Sequence, residues 1–518
     1  MHLLCTNGSR AVHQLAHLPP MPLVIDYQYA TPTVGASEKW GIFYALQMHD
    51  RVRRVVLRMP TSSLEDLLVI MDEPFPLLEQ LTISSTTEGT SLKLPETFLA
   101  PNLLHLTLSG ITLPGELTLL SIASVVTLTL TNIQATSYFL PKDLVTHLRS
   151  FSRLEELTIG FSIPLPRPSS ESELSDAFDS PVILPTLRRF MFKGVAVYLD
   201  SLVAQIRAPL LEQLSITLFN QIAFALPHLS AFTIAKPALK LPVAKVLFEH
   251  DGVSMVLKHP TQQVGHRLWR FLRVICTPFD WQIDSAEQIC RSLMPVLSGV
   301  EDLTLEFDGE EVPAEWQNGA VDAAAWHELL RPFIGVKTLR VCCPLAWELS
   351  SALQTDDVGL DPALLPNLQE LHPLGLEHRE NVFASFVDVR RNAGRPVRLS
   401  PLPVRTQTQS WSESLLVDGY ISWSFLPLAT ETYSASLLRG NLSSGGNLSS
   451  GGNLLSGGNL SSGQLAPVQG RQGPEDDLPP PSRKFRSVRS VKIKPLPPKH
   501  IQRRIRPSHT GAGSAPWR

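Results

Sequence analysis

An internal repeat constrains this chain more than any other feature, because repeated units bury their apolar faces only by stacking on one another. The template is Pro-x-Leu-x-x-Leu-x-Leu, which occurs at residues 76–83 and again at 101–108. Relaxed copies bring the number of units to eleven, with the second apolar position at residues 55, 81, 106, 128, 157, 190, 214, 232, 303, 339 and 371. Successive copies lie 18 to 36 residues apart, except for one interval of 71. This spacing is typical of one leucine-rich repeat per unit.

The apolar spacing of the repeat predicts a strand in each unit and a helix between successive strands. Its final Leu-x-Leu alternates with a period of two, as in a strand with one buried and one wet face. Parallel strands joined by helices predict an α/β fold, namely an irregular leucine-rich-repeat solenoid with strands on the concave face and helices outside. The apolar spacing becomes helical over residues 62–71, 141–151, 284–297, 323–333 and 379–392.

The interval of 71 residues interrupts the repeat. Residues 245–249, 254–258 and 269–276 read as strands, and Asp251-Gly252 reads as a turn between the first two. Either a hairpin insertion or two degenerate repeats would explain this interval.

Composition changes after the repeats, which occupy residues 21–398. Residues 399–482 are rich in Pro, Gly and Ser and include a hexapeptide tract at 441–463, which we interpret as a disordered linker rather than a hexapeptide β-helix. Residues 483–518 hold eleven Lys or Arg and no Asp or Glu, which predicts a basic disordered tail. Since the whole chain has a formal charge of −3, residues 1–482 stand at −14.

Several ordered motifs resemble one protein family. They are Leu-Cys-Thr-Asn-Gly at 4–8, Pro-Pro-Met-Pro-Leu-Val-Ile-Asp-Tyr at 19–27, His-Asp-Arg-Val-Arg-Arg-Val at 49–55 and Asn-Ala-Gly-Arg-Pro-Val at 392–397. Together they are similar to the F-box/leucine-rich-repeat-like proteins of mushroom-forming (basidiomycete) fungi, over about residues 1–400. The resemblance implies a non-enzymatic, substrate-recognising part of a cullin-type ubiquitin ligase, which binds a protein substrate on its concave face.

In that family an F-box precedes the Cys-Thr-Asn-Gly stretch and docks on a Skp-type adaptor. Residues 1–50 do not predict such a helical bundle, because prolines at 19, 20, 22 and 32 interrupt every sufficiently long window. Residues 1–20 are then the remnant linker after a missing F-box, and the adaptor is a partner only if an F-box lies upstream. The alternative is a relic or decoy scaffold, or a truncated gene model, with a nuclear-targeting tail and no ligase role.

The wet strand positions are the candidate partner-binding face. Thr and Ser fill most of the inner positions, which suits a pleated, half-exposed surface and equally offers hydroxyls to a partner chain. Both interpretations stay open. The candidate residues are Gln80, Thr82, His105, Thr107, Thr129, Glu156, Thr158, Arg189, Met191, Gln213, Ser215, Asp302, Thr304 and Arg340.

The tail is a second candidate site, either for an import receptor or as a solvated segment with no specific partner. Only Phe485 and Trp517 are available there for base stacking, so nucleic acid is not predicted as a partner. The basic residues are Arg483, Lys484, Arg486, Arg489, Lys492, Lys494, Arg503, Arg504 and Arg506.

No motif in the sequence indicates catalysis. Phosphate-binding loops, dinucleotide fingerprints, nucleophile elbows and Cys-x-x-Cys pairs are lacking, and His327-Glu328 is followed by Leu-Leu-Arg instead of a second zinc-binding His. Five scattered cysteines fit a reducing compartment, and neither a signal peptide nor a spanning segment is predicted. We therefore expect no catalytic, cofactor or metal site, no membrane partner, and a cytoplasmic or nuclear location.

Overall fold

Alternating apolar residues form the strands of one large sheet. The computed structural model describes residues 2–3, 13, 15, 17, 21–28, 35–87, 92–112, 124–164, 181–219, 224–233, 241–259, 269–276, 279–309, 323–354, 364–374 and 382–400. Its strands are β1 His2–Leu3, β2 Leu23–Gln28, β3 Val52–Met59, β4 Gln80–Ser85, β5 Leu92–Lys93, β6 His105–Ser109, β7 Ile111–Thr112, β8 Thr127–Ile133, β9 Glu156–Phe161, β10 Val182–Ile183, β11 Arg189–Gly194, β12 Ile206–Arg207, β13 Gln213–Leu218, β14 Val243–Glu249, β15 Gly252–Lys258, β16 Trp269–Ile275, β17 Asp302–Phe307, β18 Thr338–Cys342, β19 Glu370–Leu374 and β20 Arg398–Leu399.

Helices connect many of these strands. They are α1 Ala36–Leu46, α2 Thr61–Leu68, α3 Pro141–Leu148, α4 Ala196–Ala204, α5 Pro227–Thr233, α6 Phe279–Ser292, α7 Met294–Leu297, α8 Ala323–Leu330, α9 Cys343–Gln354 and α10 Ala384–Asn392. In the described ranges, none of them is long and apolar enough to cross a bilayer.

Sixteen of the described strands share one sheet, in the order β1-β2-β3-β4-β6-β8-β9-β11-β13-β16-β15-β14-β17-β18-β19-β20. All neighbours are parallel except β16 with β15 and β15 with β14. Within the part of the chain that the structure describes, two short parallel pairs, β5 with β7 and β10 with β12, lie outside this sheet. The predicted α/β class with parallel strands is confirmed. β1, which falls in the segment predicted as a linker, pairs with β2.

The apolar positions of the repeat form the core. In β4 and β6, Leu81 pairs in register with Leu106, and Ile83 with Leu108; all four side chains are buried. The helices bury one face against the same core, as Pro141, Leu144, Val145 and Leu148 do in α3. Pro141 occupies the first turn, where the missing N–H costs no helical hydrogen bond. Each unit is therefore completed by its neighbours.

In several units a polar side chain donates a hydrogen bond to a backbone carbonyl of the preceding unit. The position after the template proline is Asn102 in one unit, and its Nδ2 donates to the Pro76 carbonyl oxygen over 2.7 Å. The equivalent Asn367 donates to the Ile334 carbonyl over 2.9 Å. Ser124 and Thr186 occupy the same position and donate to the carbonyls of Leu103 and Leu154, over 2.8 and 2.9 Å. These bonds satisfy turn carbonyls that the strands do not use.

The long interval contains an antiparallel insertion, as the first of the two alternatives predicted. β14 and β15 form a hairpin, β15 pairs with β16, and β16 lies parallel to β13. A Cβ at Gly252, where β15 begins, would stand 2.4 Å from the Val274 carbonyl oxygen, so this close approach needs a glycine. The insertion reverses the strand order, because β14 and not β16 adjoins β17.

One predicted strand is wrong. The copy at 229, 232 and 234 belongs to α5, whose buried Leu229 and Phe232 are three residues apart and so share one helix face. Residue 234 lies outside the described residues. The predicted helices at 62–71, 141–151, 323–333 and 379–392 are shorter than expected, and residues 284–297 are divided between α6 and α7. Helices α1, α4 and α9 were not predicted. The linker from residue 401, the hexapeptide tract and the basic tail lie outside the described residues.

We expect Leu106→Asp to lower the free energy of unfolding by about 4 kcal/mol or more, because it places a charge between Leu81 and Leu128 inside the core. Chemical denaturation of the full chain measures this loss. Thr107→Asp is the matched control, since its side chain is half-exposed on the opposite face. Equal unfolding midpoints for the two variants would contradict the assignment of Leu106 to the buried face.

Removing one inter-unit hydrogen bond should have a smaller, measurable effect. Asn102→Ala is expected to destabilise the chain by about 1 kcal/mol, since the Pro76 carbonyl loses its donor. Arg153→Ala is the control, because Arg153 is exposed at the same template position. Denaturation midpoints that fall equally for both variants would show that the side-chain bond is not what stabilises the turn.

Candidate partner-binding strand face

Side chains opposite the leucine core form the strand face, which is built from the outward rows of the sheet. The first row lies just before the second apolar position of each unit, and it includes Gln80, His105, Glu156, Arg189, Gln213 and Asp302. The second row lies between the two final apolar positions, and it includes Thr82, Thr107, Thr129, Thr158, Met191, Ser215, Thr304 and Arg340. The register therefore aligns all the predicted candidates in two rows.

The insertion divides these rows. From β4 to β13 the candidates stand on consecutive strands, whereas Asp302, Thr304 and Arg340 lie beyond the three inserted strands. Between them the second row continues through Phe271, Val256 and Lys245. These residues were not among the predicted candidates. For Lys245 and Val256 a signal was available, because the period-two pattern of their predicted strands assigns them to the outward face.

Two predicted wet positions are wrong. Thr129 is 6% exposed and Thr158 is 2% exposed, so neither hydroxyl is open to a partner. The register places Thr158 between Thr129 and the longer Met191. Two residues away on the same face, Glu156 forms an ion pair with Arg189. Short side chains in the middle of a sheet are covered by longer neighbours, which β-strand alternation alone does not reveal.

Part of the hydrogen-bonding capacity of the face is used internally. The His105 Nδ1 and the Thr127 Oγ1 lie 3.2 Å apart, and the Asn132 Nδ2 donates to the Ser109 Oγ over 2.9 Å. Thr82, Thr107 and Ser215 remain half-exposed in the second row. The hydroxyl surface available to a partner is therefore discontinuous.

Ion pairs cross neighbouring strands on both sides of the insertion. Arg189 pairs with Glu156, and Arg340 pairs with Asp302, so four of the predicted candidates are engaged with one another. Exposed pairs of this kind add little to stability, but they hold long side chains in place above the sheet. Lys245 is more enclosed, with a side chain 13% exposed and its Nζ 2.5 Å from Glu306.

The strands β11, β13, β16, β15 and β14 carry what we call the central patch. Its cations are Arg189, Lys193, Arg273, Lys258 and Lys245, and its apolar side chains are Met191, Phe271, Val256 and Leu247. Burial, with a smaller contribution from Arg273, lowers the pKa of Lys193. Burial and then the nearby Lys245 lower the pKa of Lys258 to about 8, against the opposite effect of Asp302 and Glu306. Several of these cations are therefore partly removed from water and close to another cation.

The strands of the central patch also carry a carboxylate, Glu249, at the end of β14. Burial raises its pKa to about 7, which outweighs the attraction of the Arg273 guanidinium 3.1 Å away; Asp251 and Asp308 raise it further. Arg273 also binds Asp251 over 2.6 Å. Near pH 7 the Glu249 carboxyl is therefore divided between its neutral and charged forms.

Two of the described cysteines, Cys276 and Cys342, are not activated for chemistry. Burial raises the pKa of Cys276 and of Cys342 to about 11, so the thiol form dominates at neutral pH. Cys342 and Cys343 are both half-buried; Cys342 is the last residue of β18, and Cys343 is the first of α9. In the described ranges, no group of three or more His, Cys, Asp or Glu is arranged to hold a metal ion.

The raised pKa of Glu249 makes stability depend on pH. In the unfolded chain this carboxyl ionises near pH 4.5, so between pH 4.5 and 7 the folded protein binds the extra proton. Stability from this residue is present below pH 4.5 and is lost as pH rises towards 7. We expect Glu249→Gln to flatten the pH dependence of the unfolding free energy over that range, by roughly 1–3 kcal/mol. Glu65→Gln, exposed on α2, is the control; identical pH profiles for parent and Glu249→Gln would contradict the assignment.

Comparison with known proteins gives no assignment for this face. Neither a protein-family model nor a curated protein matches the chain. The function is therefore argued from the strand face and from the chemistry of its side chains.

Proposed function

We propose that this chain is a non-enzymatic protein-binding scaffold whose strand face recognises a segment of a partner protein. The observation that supports it is the outward face of the large sheet, where polar and charged rows run in register across consecutive strands. The opposite face is occupied by the leucine core and the helices. Broad surfaces of this kind, built from stacked units, serve as extended binding surfaces.

We also propose that the units stack as an irregular leucine-rich-repeat solenoid with the strand face on its concave side. Three features support this: the repeat length, the parallel strands paired by equivalent residues, and the inter-unit bonds of Asn102 and Asn367. The antiparallel insertion between β13 and β17 makes the arrangement irregular.

The resemblance to F-box/leucine-rich-repeat-like proteins supports a more specific proposal. In it, the partner is a protein substrate presented to a cullin-type ubiquitin ligase, and the Skp-type adaptor is a partner only where an F-box is joined to the repeats. The repeats have no part in that contact. Fusing a relative's F-box to this chain should then allow co-purification with the adaptor, whereas the 518-residue chain alone should not bind it. Adaptor binding by the unfused chain would refute this proposal.

The basic tail favours a second proposal, a decoy scaffold that enters the nucleus and has no ligase partner. Its eleven Lys and Arg without any Asp or Glu are the observation behind it. Nuclear accumulation that persists after residues 483–518 are deleted would contradict it.

Site-specific photo-crosslinking tests the binding face. A photoreactive amino acid at position 107, which is half-exposed on the strand face, is expected to capture a discrete cellular polypeptide. The matched probe is position 69, where Val69 is 71% exposed outside the sheet. Adding Arg189→Glu should reduce capture from position 107, because it reverses a charge on the same face. Equal capture from both positions, or none from position 107, would contradict the proposed function.

A further inference from the structure

The tip of the inserted hairpin is a turn that the two strands do not themselves favour. Glu249 pairs with Gly252, so His250 and Asp251 form a two-residue loop between β14 and β15. Loops of this length ordinarily adopt turns with a positive φ, because such turns match the twist of the strands. Neither His250 nor Asp251 has a positive φ. The tip therefore depends on contacts from outside the hairpin.

Those contacts come from β16, from the residue that follows it and from α6. The Arg273 guanidinium lies 2.6 Å from the Asp251 carboxylate, and the Cys276 N–H donates to the Asp251 carbonyl oxygen over 3.0 Å. From α6, the uncharged Gln282 donates its Nε2 hydrogen to the Glu249 carbonyl oxygen over 2.8 Å. The tip is thus held on both sides of its turn.

Several carboxylates share this small region. The turn contributes Asp251, and Asp308 follows β17, where its N–H donates over 2.9 Å to the carbonyl oxygen of the residue before Glu249. Both carboxylates repel a negative charge on Glu249, whereas Arg273 on β16 and Lys245 on β14 attract it. The closed tip therefore gathers like charges around the Glu249 carboxyl.

The Glu249 carboxyl is poorly placed to carry a charge. Its side chain is 19% exposed, and within the described part of the chain its buried Oε2 accepts no hydrogen bond, although the Arg273 guanidinium is 3.1 Å away. A buried carboxylate oxygen that lacks a hydrogen bond disfavours the ionised form. Burial, reinforced by Asp251 and Asp308, accordingly raises the pKa of this group to about 7.

We propose that the tip of the inserted hairpin is a proton-dependent latch, which is closed while Glu249 is protonated and opens locally when Glu249 is ionised. An open tip exposes the carboxylate to water, which solvates its charge. The middle of the hairpin stays in the sheet, because Val246 and Met255 pair there and are buried in the core. The latch does not depend on which partner the strand face binds.

Proton binding sets the direction of the response. The ordinary pKa of this carboxyl is 4.5, so between pH 4.5 and 7 the closed tip binds a proton that the open tip has lost. Closure is therefore favoured at low pH, and opening increases as the pH rises towards and through 7. The ratio of open to closed tips should rise about tenfold between pH 6 and pH 8.

Hydrogen exchange of the full chain tests the latch. The Cys276 amide reports on the tip through its bond to Asp251, and its protection factor is measured at pH 6 and pH 8, without urea and in dilute urea. We expect the protection to fall about tenfold at the higher pH and to be insensitive to dilute urea, because a local opening exposes little new surface. Protection that falls with urea as steeply as the stability of the whole chain would overturn the latch.

Two variants and a control assign the effect to Glu249. Glu249→Gln retains a neutral group and should make the protection of Cys276 independent of pH. Asp308→Asn, at an exposed position beyond β17, should reduce the fall, and it remains informative if Glu249→Gln does not fold. His250→Gln is the matched control, because His250 is exposed in the same turn and should leave the fall unchanged. A tenfold fall that persists in Glu249→Gln, or one that disappears in His250→Gln, would overturn the inference.

Discussion

The packing of leucine on leucine between successive units is the interaction on which the rest of this structure depends. Leu81, Leu106 and Leu128 stand in one line across three neighbouring strands, and each is covered by the next. A single unit exposes this surface and cannot fold alone. Because the same contact fixes which residues point inward, it also fixes which residues point outward. The strand face is therefore a consequence of the core.

The insertion changes the strand face while that core remains. Val246, Leu272 and Met255 continue the buried layer through β14, β16 and β15, although the strands now run antiparallel. Strand direction matters little to a side chain buried on one face of a sheet. The outward positions are consequently free to differ, and they change from hydroxyl to apolar and cationic side chains.

Much of this fold could be predicted from local pattern, and the exceptions have physical causes. Period-two alternation located β4, β6 and most of the repeat strands, and the Asp251-Gly252 turn located the hairpin. The strand predicted around Leu229 and Phe232 is a helix, because a spacing of three residues fits one helix face as well as it fits the repeat template. Helix α1 was missed because prolines before it suggested an irregular segment. No local pattern specifies strand order, so the reversal of β14, β15 and β16 needed the tertiary structure.

The candidate face was predicted less completely than the fold, because exposure depends on neighbours from other units. Thr158 satisfies every local criterion for a wet strand position, yet Thr129 and Met191 lie on either side of it and it is buried. Phe271 was overlooked because an apolar residue in a strand is ordinarily assigned to the core. Its outward position emerges only when the register aligns it with Ser215 and Val256. In a protein built from stacked units, packing explains an apolar side chain that points into the core but not one that points outward. Outward apolar residues are therefore the first positions to test for contact with a partner.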